Sequence, residues 1–391
     1  MKIALIGNLA GVAYTWSKLL RRKGLAVDLY LTPWEWGPDW EDTEFRSESN
    51  RWIHFYDRPA PRLEYLPIFR HRVSNLHRKV TANLLLRELL GYDIVNSFTG
   101  SLFLSQDAIK AFGKERRKPY IACATGSDIR EVAIQDGQAG KQMLQFFQQA
   151  ARSLLLNLDM VEVRDELGLR NAEFFPYLID FDKYCPDVVN KEYGSKNQTL
   201  FFMFSNLDWG VIDNAPRRSS TKGNDRFIRA FARYVKEHSD AYLMILDRGP
   251  DRELAKQLVS QLAISSFVSF LPEMRKDELV KHFRMSDVIA DQFDVGALGV
   301  GALEAMACAK PVMIYLKSHC VAECYPEFPP ILNARTEDEI YEQIKLASNR
   351  AHREEIARKA RKWILKYHDW NIVADRLIRL YEEVSHDWKR P

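Results

Sequence analysis

The sequence predicts an α/β protein made of two doubly wound halves and a terminal helical segment. Three observations carry this. Short apolar runs rich in β-branched residues recur along the chain with helix-forming stretches between them, the spacing of βαβ units in a parallel sheet. At Ile3–Gly11 and again at Val288–Gly301 a strand runs into a glycine-bearing loop and then a helix. The length of 391 residues, at roughly 150 per domain, suits two to three domains, each large enough to bury its own core.

The chain begins MKIALIGNLAGVAYTWSKLLRRKGLAVDLYLT. Ile3–Ile6 reads as a strand, Gly7–Gly11 as a loop, Tyr14–Lys23 as a helix with Leu19 and Leu20 inward, Gly24 as its C-cap and Val27–Leu31 as a second strand. The GNLAG loop is not GxGxxG and no acid ends the second strand, so a dinucleotide cofactor is not expected. Pro33–Tyr65 is rich in proline and aromatic residues, with Trp34, Trp36, Trp40, Trp52, Phe55 and Tyr56, and structureless stretches of this length commonly serve as lids or binding loops. Arg62–Arg87 then carries six Lys/Arg against one acid, Glu64, with Leu66, Ile68, Phe69, Val73, Leu76 and Val80 between them. Two readings stay open: a basic segment that leans on an anionic membrane, or a solvated helix face over ordinary core residues.

Asp93–Ser97 and Tyr120–Ala124 read as parallel strands, the second running directly into Thr125–Glu131, TGSDIRE. Loops at the carboxyl ends of such strands bind ligands in open α/β sheets. Asp128 is therefore a candidate to orient or deprotonate an acceptor hydroxyl, and Arg130 to hold an acidic group; helix capping by Ser127 or Asp128 is the alternative. Asp159–Val163 and Glu173–Tyr177 read as short strands. The polar run Asn190–Gln198 reads as a linker, which divides the chain into a first domain of 1–190, a second of 191–365 and a terminal helix over 366–391.

The second domain opens with a strand at Leu200–Phe204. A loop follows, then a helix at Arg226–His238 with Phe227, Ala230, Phe231 and Tyr234 at core spacing and Asn224 or Asp225 as its cap. Arg217, Arg218 and Lys222 converge on the loop and the helix N-terminus, an arrangement that clamps a diphosphate. Strands are expected at Tyr242–Asp247 and Val268–Leu271, a helix at Lys276–Arg284, and two or three helices over Glu337–Pro391, the last with Trp370, Val373, Leu377, Leu380 and Tyr381 at helical spacing.

Between them lies SDVIADQFDVGALGVGALEAMACAKPVMIYL, Ser286–Leu316. Val288–Ala290 and Val312–Leu316 read as buried strands and Ala302–Cys308 as a helix. Gly296, Gly299 and Gly301 sit where loop becomes helix, so backbone can approach a ligand and present N–H groups to an anion at the positive helix end. Glu304, expected in the first helical turn, can hydrogen-bond hydroxyls of whatever carries that anion. A nucleotide sugar has both a diphosphate and a ribose diol. From these residues alone, glycines for tight packing and a glutamate that stabilises the helix dipole remain an equal alternative.

This block resembles the donor site of retaining glycosyltransferases of family four. Their fold, GT-B, sets two Rossmann-like domains to face a cleft, with a C-terminal helix crossing back to the first domain. In that family two glutamates stand eight positions apart across a glycine-bearing loop, followed by EAMA-x-G-x-PV. EAMACAKPV, Glu304–Val312, matches the second part, with Ala309 where the family has glycine. The first part departs, for Gly296 stands where the first glutamate is expected, and the nearest upstream acids are Asp294 and Asp291. The resemblance implies that Glu304 binds the ribose and that Asp294, Gly296, Gly299, Val300 and Gly301 border the donor, with Arg248 beside the nucleotide. It implies that Lys222, followed by Gly223 as in the family, neutralises the diphosphate together with Arg217 or Arg218. In the first domain it implies acceptor contacts at Gly11 and at a Gly-Ser-Asp loop, here Gly126, Ser127 and Asp128 with Arg130, preceded by Thr125 where the family often has histidine.

The expected activity is thus retaining, metal-independent transfer of a sugar from a nucleoside diphosphate sugar, with UDP favoured by family frequency. The acceptor is a hydroxyl, on a glycan or a lipid-linked intermediate of surface polysaccharide synthesis, and no cofactor is required. A sugar-nucleotide epimerase on the same fold is one alternative. A catalytically silent sugar-nucleotide-binding subunit is another, prompted by Gly296. Composition excludes other classes: 46% hydrophobic and 28% charged residues are those of a globular chain, and a net charge of +3 is no nucleic-acid signature. Five scattered cysteines argue for a reducing compartment, and His319, Cys320 and Cys324 lack the second ligand pair of a zinc site. No apolar run approaches the ~18 residues of a membrane span, and Met1–Gly7 is too short for a signal sequence. A cytoplasmic protein is expected, with peripheral contact to the inner membrane face through 62–87 on the membrane reading of that segment.

Overall fold

The structure, a computed structural model, describes residues 1–31, 51–55, 84–98, 112, 118–187, 189–195, 197–210 and 221–389. The chain forms two compact units, one of residues 1–178 with 370–391 and one of 179–369.

The first unit is built on seven parallel strands: β1 (Lys2–Ile6), β2 (Ala26–Leu31), β3 (Ile53–Phe55), β4 (Ile94–Ser97), β5 (Tyr120–Ala124), β6 (Arg152–Leu155) and β7 (Ala172–Phe174). Their order, β3-β2-β1-β4-β5-β6-β7, reverses between β1 and β4. Helix α1 (Val12–Arg22) buries Trp16, Leu19 and Leu20 and leaves Arg21 and Arg22 outside, as its apolar spacing dictates. Part of the expected binding loop is sheet and core instead: β3 extends the edge beside β2, and Trp52 stacks on Tyr14 of α1 with ring centroids 5.9 Å apart. The rest of 33–65, and the basic run as far as residue 83, lie outside the described residues. Helix α2 (Gln138–Gln149) precedes β6.

The strand expected at Asp159–Val163 is not formed. Those residues enter helix α3 (Met160–Glu166), and the strand is the preceding run, β6, whose Ser153, Leu154 and Leu155 are buried between β5 and β7. In α3 only Met160 and Val161 are buried, at its start, so one apolar end and not an alternating face meets the core.

The second unit has six parallel strands: β8 (Thr199–Met203), β9 (Ala241–Leu246), β10 (Val268–Leu271), β11 (Val288–Ala290), β12 (Val312–Ile314) and β13 (Leu332–Asn333). Their order is β10-β9-β8-β11-β12-β13, so the chain direction of growth reverses between β8 and β11. Seven helices connect and cover them: α4 (Asn224–Glu237), α5 (Arg252–Gln261), α6 (Lys276–Met285), α7 (Val300–Ala307), α8 (Ser318–Cys324), α9 (Glu337–Ser348) and α10 (Arg350–Tyr367). The β8 side chains are all buried, the continuous apolar run of a strand covered on both faces. Phe227 and Phe231 of α4 pack on Phe201 of β8, and Phe227 stacks on Phe293 at 5.6 Å, which anchors the loop after β11 in the core.

The unit boundary falls at Leu178–Ile179 and not near residue 190, because residues 179–187 are bonded to the second unit. Ile179 pairs with Asp369, Arg284 donates to the carbonyls of Lys183 and Cys185, both at 3.0 Å, and Arg361 donates to that of Tyr184 at 3.3 Å.

The last helix, α11 (Trp370–Lys389), belongs to the first unit. Its Leu377 and Tyr381 are fully buried. Asn96 of β4 donates to the Tyr381 hydroxyl at 2.8 Å and accepts from the Cys123 thiol of β5 at 3.1 Å. Lys23 pairs with Asp375 at 2.9 Å and Arg376 with Glu173 at 3.2 Å. The exposed pairs contribute little, whereas the buried amide is strongly directional. Tyr381→Phe leaves that Asn96 N–H without its partner and is expected to lower the stability of the first unit by about 1–3 kcal/mol. Chemical unfolding followed at the first unit's transition measures it.

Candidate functional site

In an open parallel sheet a crevice forms where strand order reverses, because the two loops leaving the carboxyl ends there part in opposite directions. In the second unit that place is the end of β8 and β11, and the glycine loop and Lys222 both lie there.

Lys222 is fixed by its own backbone. Its N–H donates to the Asp208 carbonyl of the β8 loop at 2.6 Å, and its carbonyl accepts from Phe293 N–H of the β11 loop at 2.7 Å. Gly223 follows with φ +65°, a left-handed turn that glycine adopts without strain, and α4 starts at once. Neither Asn224 nor Asp225 is the cap: Gly223 is, and Asn224 is buried in the first turn. There its side-chain oxygen accepts from Asp208 N–H at 3.2 Å and its amide donates to Ser205 Oγ at 3.1 Å, so it ties the helix start to the β8 loop. Arg217 and Arg218 lie outside the described residues.

The β11 loop is built around Gln292, almost fully buried. Its amide donates to the carbonyls of Ala297 and Tyr315, both at 2.8 Å, and its oxygen accepts from the N–H groups of Asp294 and Gly296 at 3.1 and 3.2 Å. Asp294 braces the loop against α4, accepting from Thr221 Oγ1 at 2.6 Å and from Arg226 at 3.2 Å.

The three glycines differ in what they do. Gly296 has φ +79° and a Cβ there would lie 2.6 Å from Lys317 Cγ; a Cβ at Gly301 would lie 2.4 Å from the Phe204 ring. Both are required by conformation or packing. Gly299, which caps α7 in extended geometry with φ −74°, faces open space. Of the three, only Gly299 is left unexplained by the protein's own packing, and it borders the N–H groups of the first turn of α7, Val300 among them.

Helix α7 begins at Val300, two residues before the expected start, so Glu304 lies in its second turn and not its first. Its carboxylate is 4% exposed and both oxygens accept from Lys276 Nζ of α6 at 2.7 Å. A buried carboxylate needs such a partner, and each oxygen keeps a lone pair for a further donor. Sequence reasoning missed Lys276, which is 28 positions away on another helix.

It named Asp291, the residue that follows β11, only as an upstream acid and gave it no role. Its carboxyl is buried, and burial pushes its pKa up to about 6 although nearby Lys222 pulls it down. The signal was present: an acid directly after a buried central strand, at the reversal of strand order. Arg248 follows β9, its guanidinium 3.7 Å from Glu273 and its pKa lowered by burial. Its carbonyl accepts from Leu207 N–H at 2.8 Å, which joins the β9 and β8 loops.

In the first unit, Gly11 has φ +76° and caps α1 at the end of the β1 loop, where Asn8 accepts from Tyr14 N–H at 2.9 Å. The Asp128 carboxylate turns back on its own loop, accepting from the N–H groups of Thr125, Gly126 and Ile129 at 3.0, 2.8 and 2.9 Å. Ser127 makes no capping bond. Arg130 is engaged by Asp159 through two bonds, at 2.5 and 2.9 Å, both side chains being nearly buried. Asp128 and Arg130 thus shape the loop after β5, Asp128 by tying its N–H groups together and Arg130 by its pair with Asp159.

Residues 208–363 match the family described as glycosyl transferases group 1. A GDP-mannose-dependent alpha-(1-6)-phosphatidylinositol monomannoside mannosyltransferase of Mycolicibacterium smegmatis is 30% identical over 153 residues, 36% of this chain and 37% of that protein. A GDP-mannose-dependent monoacylated alpha-(1-6)-phosphatidylinositol monomannoside mannosyltransferase of Corynebacterium glutamicum is 21% identical over 63% of this chain and 68% of its own length. The chain therefore spans well under half the length of the first of these curated relatives. Among solved structures, sucrose-phosphate synthase of Thermosynechococcus elongatus superposes with a TM-score of 0.69 at 12% identity, covering 98% of this chain and 99% of that one. The Anabaena protein HepE, solved with UDP and glucose, gives 0.68 at 14% identity over 98% and 99%. These likenesses show the GT-B fold, two parallel-sheet α/β domains.

The raised pKa of Asp291 has a sign that can be checked. The folded state binds this proton more tightly than the unfolded chain, so the group's contribution to stability is full below the unfolded pKa and is lost as pH rises toward and through about 6. Asp291→Asn removes the penalty and is expected to stabilise the unliganded protein by roughly 3 kcal/mol at pH 8, less at pH 5. Melting temperatures of both proteins across that range test it.

Proposed function

We propose that this chain, a member of the glycosyl transferases group 1, moves a sugar from a nucleoside diphosphate sugar to a hydroxyl of an acceptor with retention of configuration. The observation that carries the reading is the convergence at the ends of β8 and β11: Lys222 pinned between the two loops, and the N-terminus of α7 open above Gly299. With its backbone fixed by two bonds, Lys222 carries its cation from a set point toward the charge that grows on a departing diphosphate, an effective kind of transition-state stabilisation. The α7 N–H groups supply partial positive charge to the same anion. Glu304, oriented by the two bonds from Lys276, takes the ribose hydroxyls.

The acceptor hydroxyl attacks the anomeric carbon on the face the diphosphate leaves, and the departing phosphate receives its proton, so the bond from acceptor oxygen to anomeric carbon forms as that carbon's bond to the phosphate oxygen breaks and no protein nucleophile is used. Lys222 with one of Arg217 and Arg218 provides the charge that a metal would otherwise supply. Two relatives named as GDP-mannose-dependent support guanosine as the base ahead of the uridine that family frequency suggests. The acceptor is a hydroxyl on a glycan or a lipid-linked intermediate. Among the described residues no helix is long and apolar enough to cross a membrane. A silent nucleotide-sugar-binding subunit is favoured by one observation, Gly296, and is told apart by turnover.

A thermal-shift series with GDP, UDP, ADP and their sugar conjugates is expected to give a selective rise for one nucleoside diphosphate, since a ligand of the folded state raises the melting temperature. Lys222→Ala is expected to weaken that binding by about 1–3 kcal/mol; an unchanged affinity removes the site from this place.

A Cβ at Gly299 meets no protein atom within 4 Å and its φ is permitted, so Gly299→Ala is expected to melt like the parent while losing affinity for the diphosphate. Calorimetric titration of the two proteins separates these effects, and undiminished binding by the variant rules out an anion at the α7 N-terminus.

A further inference from the structure

The family this chain resembles has an acid where Gly296 stands, and here that place is closed: with φ +79° and a Cβ only 2.6 Å from Lys317 Cγ, a glutamate side chain does not fit without displacing Lys317. Two acids precede it in the same loop, and the structure distinguishes them. Asp294 is spent on the fold, its oxygens taken by Thr221 at 2.6 Å and Arg226 at 3.2 Å, with Arg335 at 3.9 Å. Asp291 is different. It is 7% exposed, its N–H donates to the Met313 carbonyl at 3.0 Å and its carbonyl accepts from Ser205 Oγ at 2.7 Å, so its backbone is held on both sides. Its carboxylate accepts no hydrogen bond among the described residues, and the charge acting on it is that of Lys222.

A buried carboxylate without donors is costly, and in folded proteins such groups are met by a partner. The partner a ligand could bring here is constrained by chemistry. A diphosphate offers only acceptor oxygens and repels a carboxylate. The ribose hydroxyls are assigned to Glu304. The group that donates hydrogen bonds and lies next to a diphosphate held by Lys222 is the hexose attached to it. We infer that Asp291 is the donor-site acid of this chain and accepts a hydrogen bond from a hydroxyl of the sugar to be transferred. This rests on the donor reading above, in which Lys222 meets the diphosphate.

The test compares ligands with and without the sugar. Titration calorimetry of the whole chain is run with GDP, GDP-mannose, UDP and UDP-glucose on the parent, on Asp291→Asn and on Asp291→Ser, each first shown to be folded by its melting transition. Both variants are expected to bind the preferred nucleoside diphosphate within about twofold of the parent. They are expected to bind its sugar conjugate roughly tenfold or more weakly, the scale of one charge-assisted hydrogen bond. Unchanged affinity for the sugar conjugate overturns the assignment. Equal loss for nucleotide and sugar nucleotide also overturns it, because Asp291 would then act through Lys222 on the diphosphate. A parent that binds none of the four ligands overturns the donor reading itself, and this inference with it.

Discussion

The second unit depends on one short piece of backbone pairing, Asp208 to Lys222 to Phe293. Where a parallel sheet reverses its order, the loops on either side are pushed apart, and nothing in the sheet itself sets the width of the gap. Here the peptide of Lys222 bridges it with two hydrogen bonds, and the aromatic ring of Phe293 is sunk into the core against Phe227. The cation therefore leaves from a point fixed by both loops at once. Gly223 makes this possible by turning the chain through a left-handed conformation immediately afterwards, so α4 starts beside the gap with its own positive end.

The surroundings of that gap contain two acids with opposite histories. Glu304 is matched on both oxygens by Lys276, the partner a buried carboxylate needs. Asp291 accepts no hydrogen bond among the described residues, and burial draws it toward its neutral form against the pull of Lys222. A fold selected for stability alone would exchange Asp291 for a neutral residue. A buried acid beside a pinned lysine, with no hydrogen-bond donor among the described residues, is the pattern expected where binding requires groups that the empty protein does not satisfy.

Much of the architecture was legible in the sequence because it depends on local pattern. Apolar runs such as Val288–Ala290 and Tyr120–Ala124 became strands with those bounds, and the spacing of Phe227, Phe231 and Tyr234 placed α4. What escaped was long-range. Lys276 sits on a different helix from Glu304, and no periodicity links them. The edge between units was misplaced by the polar run after Asn190, since composition does not reveal that Arg284 and Arg361 reach the carbonyls of residues 183–185. Asp159–Val163 looked like a strand by its apolar content, while the true strand, Arg152–Leu155, began with an arginine. Asp128 and Arg130 had the right address at the end of a strand, and only geometry showed their bonding capacity directed back into the loop and at Asp159.

The glycines make the same point more sharply. By sequence, Gly296, Gly299 and Gly301 were one feature with two equal explanations, close packing or close approach of a ligand. In the folded chain the feature divides: Gly296 is closed by Lys317 and Gly301 by Phe204, whereas Gly299 faces open space. The packing explanation accounts for two and cannot account for the third. The family's first glutamate would have had to leave from the position that Lys317 now covers, so its loss and the lysine's placement are one steric fact. On the proposed donor reading, an acid beside the diphosphate would grip the sugar. The strand end five residues earlier, held by Ser205 and Met313, offers one from backbone that does not have to move.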